Sequence, residues 1–159
     1  MRALISILVI VVIGFSAAKM ATAKDRHEGY YYPKVSSTEV YNARSKVMKK
    51  VNRETRIGFV VAQTIGQKDQ PYPPRFAIFA KGTEAEKMII VGLDGDSMAT
   101  LYRARAVLAQ LTAVARSSEL FRNRAVEDIF TFLDLANMVG FKRVTVTDGK
   151  TYAHQFTIK

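Results

Sequence analysis

Three apolar runs limit what this chain can become. Ile57 to Ile65, Phe76 to Ala80 and Met88 to Leu93 are bounded by charges and turn residues, and all fall well short of the roughly 20 apolar residues a membrane-spanning helix needs. Each is apolar at odd and even positions alike, the pattern of a strand covered on both faces. They read as three central strands. Gln67 to Arg75 holds Pro71, Pro73 and Pro74, which lack donor amides, so the first two strands are joined by a loop outside the sheet. Lys81 to Glu84 is short enough to turn the second strand back on the third as a hairpin.

The flanking segments carry helical spacing. Ser36 with Glu39 matches a capping box opening a helix to about Val51, with Val40, Val47, Met48 and Val51 on one side and Arg44, Lys46, Lys49 and Lys50 solvated. Asp94-Gly95-Asp96-Ser97 ends the third strand and offers Asp96 or Ser97 as N-cap of a helix through about Arg116, with Ala104, Leu108, Leu111 and Ala115 as its apolar stripe. After Ser117-Ser118 a further helix extends to about Val139, and Gly140 is its C-cap.

Arg143 to Lys159 reads as a closing hairpin whose register can be argued. A loop of Thr147-Asp148-Gly149 pairs 144 with 152 and unites Val144 and Val146 with Tyr152, Phe156 and Ile158 on one face. His154 then lies on that apolar face, opposite Lys142. The expected fold is one α+β domain, a largely antiparallel sheet with helices packed on it and a C-terminal β-hairpin, with strand order open.

The N-terminus is read apart from that domain. Arg2 precedes an apolar run from Leu4 to Ala18, and Ala21-Thr22-Ala23 is a small-x-small cleavage pattern, so residues 1–23 read as a secretory signal peptide and 24–159 as the domain. Periplasmic location follows as an expectation. Lys19 and the second small-residue site Ser16-Ala17-Ala18 leave open the alternative, residues 4–18 retained as an inner-membrane anchor.

Charge and composition narrow the function classes. Of 24 Lys and Arg, Arg2 and Lys19 belong to the leader, and the remaining 22 face 14 Asp and Glu. Nine basic residues lie in Lys24 to Arg56 against four acidic ones. Such a field attracts an anionic membrane surface or an acidic region of an envelope protein. Export argues against nucleic acid and nucleotide partners, and the basic residues are not interleaved with a stacking platform. The chain has no cysteine, which rules out thiolate nucleophiles and cysteine zinc sites.

Few residues stand out as chemistry. His27 and His154 are the two histidines, at opposite ends and without metal-ligand spacing, so no metal site and no cofactor are implied. His154 is the catalytic candidate, with Asp128 or Asp134 as acidic neighbour; the alternative is a core histidine with a structural hydrogen bond. Asp94 to Ser97 lacks the later ligands of a calcium loop and reads as a turn and cap. Tyr30, Tyr31, Tyr32 and Tyr72, with Phe76, are candidates to line a cleft, against the competing expectation that the tyrosines fasten an edge segment to the sheet. Arg103 and Arg105 are anion-binding candidates. At about 100° per residue they point to opposite sides of their helix, while Arg105 and Arg116 share a face about 16 Å apart, too far for one phosphate. Pairing of these arginines with Glu119, Glu127 or Asp128 is the competing expectation.

Gly29 to Pro33, Pro71 to Pro74, Phe76 to Gly82, Leu101 to Thr112 and Val126 to Phe132 together resemble a family of small exported alphaproteobacterial proteins. Some of its members carry the label "molybdopterin-guanine dinucleotide biosynthesis protein A". A molybdenum cofactor guanylyltransferase opens on a Leu-Ala-Gly-Gly-x-Ser/Thr-x-Arg-Met-Gly type phosphate loop, which this chain lacks. The resemblance therefore implies a compartment and no catalytic residue. The expected function is a noncatalytic binding or accessory protein of the bacterial cell envelope. The alternatives are a small periplasmic enzyme using His154 and an anchored accessory subunit.

Overall fold

The computed structural model describes residues 33–95 and 98–159. The leader, His27, Tyr30, Tyr31, Tyr32 and the expected caps Asp96 and Ser97 lie outside the described residues. The element order is β1 (Ser37–Tyr41), α1 (Arg53–Lys68), β2 (Phe76–Lys81), β3 (Lys87–Gly92), α2 (Leu101–Arg116), α3 (Glu119–Arg122), α4 (Phe132–Met138), β4 (Arg143–Thr147) and β5 (Ala153–Ile158). The sheet order is β1-β5-β4-β3-β2. It is mixed rather than largely antiparallel: β1 pairs parallel with β5 and β3 parallel with β4, while β4–β5 and β2–β3 are antiparallel. The α+β class and both hairpins stand.

Two segments exchange the expected structures. Residues 36–51 are not a helix, because Ser36 docks on the sheet instead of capping: its amide donates to the Ala153 carbonyl at 2.8 Å and its hydroxyl accepts from the Ala153 amide at 3.3 Å. Ser37, Glu39 and Tyr41 then alternate inward with strand period. Ile57 to Ile65 is not a strand but the middle of α1. Its true capping box is Asn52 with Thr55, the Thr55 amide donating to Asn52 Oδ1 at 2.9 Å. Among its half-buried positions, Arg56, Phe59, Val60, Gln63 and Gln67 recur at helical spacing, and Phe59 meets Phe141 edge-on at 6.1 Å. No residue of α1 is fully buried, so the double apolar parity marked a helix lying on the rim of the core.

The other helices follow the spacing more closely. Ala104, Val107, Leu108, Leu111 and Ala115 are the buried stripe of α2, whose N-cap is Thr100, with its hydroxyl accepting from the Arg103 amide. The helix expected from Ser118 to Val139 is broken. Ala125 has φ +52, outside the helical region, and Thr131 caps a new helix through a second capping box with Asp134. At its end the Gly140 amide donates to the Asn137 carbonyl and the Phe141 amide to the Ala136 carbonyl, a Schellman pair made at φ +84.

The C-terminal hairpin keeps its expected faces but shifts by four residues. Val144 pairs with Phe156 and Val146 with His154, so His154 lies opposite Val146 and not Lys142. The loop spans residues 148–152 because Asp148 organises it: Oδ1 accepts from the amides of Lys150, Thr151 and Tyr152, and Oδ2 from the Thr151 hydroxyl at 2.8 Å. Burial pushes the Asp148 carboxyl up, but these donors, the Tyr152 and Lys150 amides foremost, outweigh it and hold the pKa at about 2 against an ordinary 3.8. A depressed folded-state pKa gives stability that is present above pH 3.8 and lost as pH falls towards 2. Asp148→Ala is expected to lower stability by about 2 kcal/mol at pH 7, and urea unfolding of both proteins should show the difference shrinking between pH 5 and pH 2.

All four helices contribute to one core over one sheet face, built on rows such as Ile78-Ile90-Val146 and Met88-Val144-Phe156. At the β1–β5 end of that face, α2 and the start of α4 border a cleft, and there the candidate site lies.

Candidate functional site

Parallel pairing of β1 with β5 sets Ser37 beside His154, Glu39 beside Phe156 and Tyr41 beside Ile158. His154 is 2% exposed and packs edge-on against Phe156 with ring centroids 4.5 Å apart. Its Nδ1 lies 2.6 Å from Ser37 Oγ. Its Nε2 lies 3.4 Å from Glu39 Oε2, at ion-pair distance but not aligned as a hydrogen bond, and has no other partner among the described residues. The carboxylate beside His154 is thus Glu39, from the segment expected to be helical, and neither Asp128 nor Asp134. Burial pushes His154 below the ordinary histidine value, opposed by the Glu39 carboxylate and assisted by Arg105.

Glu39 Oε2 also accepts from Arg105 Nη2 at 2.8 Å. That hydrogen bond, above all, holds the Glu39 carboxyl below its usual value despite partial burial. One carboxylate oxygen therefore serves an exposed guanidinium on one side and a sealed imidazole on the other.

Asp134 is the second polar centre, fully buried at the start of α4. Its Oδ1 accepts from the amides of Arg44 at 2.7 Å and Ser45 at 3.3 Å, and its Oδ2 from Tyr41 Oη at 2.7 Å and the Thr131 amide at 2.9 Å. Burial raises its carboxyl, but the Thr131 amide, Tyr41 hydroxyl and Arg44 amide outweigh that and hold it below the ordinary value. The network ties the stretch after β1 to α4 and so fixes one wall of a cleft.

That cleft, of about 660 Å³, lies between β1, β5, α2 and the start of α4. Leu108, Ala109, Ala113, Leu133 and Phe156 make its apolar lining, while Glu39, Tyr41, Arg105, Thr112, Arg116 and Thr131 supply polar groups. Neither His154 nor Ser37 lines it. Two other cavities, of about 240 and 320 Å³, lie away from this edge.

The expected arginine geometry is present. Arg105 and Arg116 both line the cleft, whereas Arg103 faces the smaller cavity with Arg75 and Phe76. Arg116 takes main-chain carbonyls rather than the expected carboxylates: Nε donates to Phe130 O at 3.3 Å and Nη2 to Asp128 O at 3.4 Å. Tyr72 is 78% exposed in the proline-rich loop before β2 and lines neither the cleft nor the cavity that holds Phe76. With β2 and β1 on opposite edges of the sheet, four strand spacings, about 19 Å, lie between them. The described structure thus brings together Arg105 and the neighbourhood of His154, and leaves Arg103 and Tyr72 elsewhere. The residues missed in sequence are Glu39, Tyr41, Leu133 and Phe156 as cleft groups. Their signal was the alternation of Ser37, Glu39 and Tyr41, hidden by the apparent capping box.

Among the described residues no three of His, Asp and Glu stand close enough to hold a metal ion, and no helix is long and apolar enough to cross a membrane. Comparison with protein-family models, with curated proteins and with solved structures gives no match.

Proposed function

We propose that this protein is an exported, noncatalytic binding module of the bacterial envelope whose ligand occupies the cleft over β1 and β5. The carrying observation is an apolar cleft of about 660 Å³ with charge confined to a few positions, within the size range of small-molecule sites. The enzyme alternative has the residue types in Ser37, His154 and Glu39 but not the access. A nucleophile and its base must reach the reacting atom, and here Ser37 and His154 stand outside the cleft lining while His154 is 2% exposed. Ser37 and His154 serve in this reading as the joint between β1 and β5. Tyr72 is remote from the cleft and forms no part of this reading.

A titration with the uncharged solvatochromic dye Nile red tests the proposal. Saturable binding with a blue-shifted emission is expected, and an unshifted, non-saturating signal would count against it. Export rests on residues 1–23, and the intact mass of protein taken from the native envelope should correspond to a chain beginning at Lys24. A mass retaining residues 4–18 would favour the anchored alternative.

A further inference from the structure

We infer that the ligand of the cleft is a free single-chain carboxylate of the fatty-acid type, its anion on Arg116 and its chain running along α2 towards Glu39. This inference rests on the cleft reading and adds the chemical class. Arg105 and Arg116 line the same cleft eleven residues apart on α2, about 16 Å along the axis, but their charges are in different states. Arg105 is already neutralised by Glu39 at 2.8 Å. Arg116 has no carboxylate partner among the described residues. Its Nε and Nη2 are tethered by the carbonyls of Phe130 and Asp128, which orient the guanidinium without cancelling its charge.

Between these ends Leu108, Ala109, Ala113, Leu133 and Phe156 offer a surface suited to a hydrocarbon body, and the Thr112 hydroxyl that lines the same stretch already donates to the Leu108 carbonyl and accepts from the Phe132 amide. A second anion on the ligand would meet Glu39 at the far end, so the chemistry selects a monoanion with an apolar tail. A carboxylate suits Arg116 because a guanidinium donates charge-assisted hydrogen bonds in matching planar geometry.

The test is displacement of Nile red from the purified protein by dodecanoate and by dodecanol, which share a chain and differ in charge. Dodecanoate is expected to bind at least about tenfold more tightly, the scale of one charge-assisted hydrogen bond. Arg116→Gln should abolish that preference while Nile red still binds, and Arg116→Lys, which keeps the charge, should retain part of it. Equal affinity for acid and alcohol, or a preference unchanged in Arg116→Gln, would overturn the inference while leaving the cleft reading intact. Failure of both compounds to displace a dye that binds at the cleft would overturn it as well, whereas failure of Nile red to bind at all would bring down the cleft reading itself. Anionic phospholipid vesicles provide a further arm: sedimentation with vesicles that dodecanoate does not compete away would show a membrane surface, and not a free carboxylate, to be the anionic partner.

Discussion

Asp134→Ala is expected to lose about 3–4 kcal/mol of unfolding free energy at pH 7. Five donors converge on that carboxylate from three separate places: the Tyr41 hydroxyl at the end of β1, the amides of Arg44 and Ser45 beyond it, and the Thr131 amide and hydroxyl at the cap of α4. Alanine leaves one buried and several half-buried donors without acceptors, and each such loss costs about 1–3 kcal/mol, reduced where water can enter. Because the folded-state carboxyl sits below its ordinary value, its contribution is present above pH 3.8 and declines as pH falls through the folded value. Urea unfolding at pH 7 measures the loss. Amide exchange should speed up at Arg44 and Ser45 first, since those amides lose their acceptors. A cost below about 1 kcal/mol would mean that the network is not what joins the two segments. Tyr41 and Thr131 both line the cleft, so ligand binding should weaken in the same variant even where the fold survives.

Ala109→Trp should remove binding almost completely, by at least about 50-fold, while changing stability by no more than about 0.5 kcal/mol, the usual range for an exposed position. Ala109 is solvent-exposed on α2 and lines the cleft, so an indole there projects into the space proposed for the ligand without disturbing the stripe of Ala104, Val107, Leu108, Leu111 and Ala115 that α2 buries. Tyr72→Ala is the companion variant. It removes an exposed aromatic side chain, yet at the opposite sheet edge it should leave binding unchanged. Nile red titration, with urea unfolding as a check on the fold, reads both. Binding that survives Ala109→Trp and fails in Tyr72→Ala would move the site to the proline-rich loop.

Much of the fold could be read from local pattern where a single element was self-consistent. The stripe of α2, the C-cap at Gly140 and the strands at Phe76 and Met88 declare themselves through spacing and turn residues. The errors arose where one pattern had two readings. Ile57 to Ile65 is apolar enough to pass for a covered strand, and only Asn52 and Thr55 upstream distinguish it as a helix. Ser36 and Glu39 have capping-box spacing, but Ser36 is used by β5 and Glu39 by Arg105, partners more than sixty residues away that no local window contains. The hairpin faces followed from parity, whereas its register depended on Asp148 gathering three loop amides.

The candidate site was less legible for the same reason. Its separate arginines were visible, including the shared face of Arg105 and Arg116, because helix geometry fixes that relation. Its floor was not, because Phe156 meets Glu39 only through the parallel β1–β5 pairing and Leu133 is brought beside Tyr41 by the Asp134 network. A parallel pair between strands so distant in sequence leaves no turn signature to find.

Chemical-shift mapping of isotopically labelled protein titrated with dodecanoate tests the cleft most directly. The expected result is saturable shifts concentrated at Arg105 to Arg116, Thr131 to Leu133 and Phe156, with Tyr72 and Arg103 little affected. Shifts centred on the Tyr72 loop, or spread without saturation over the whole surface, would contradict a ligand site over β1 and β5.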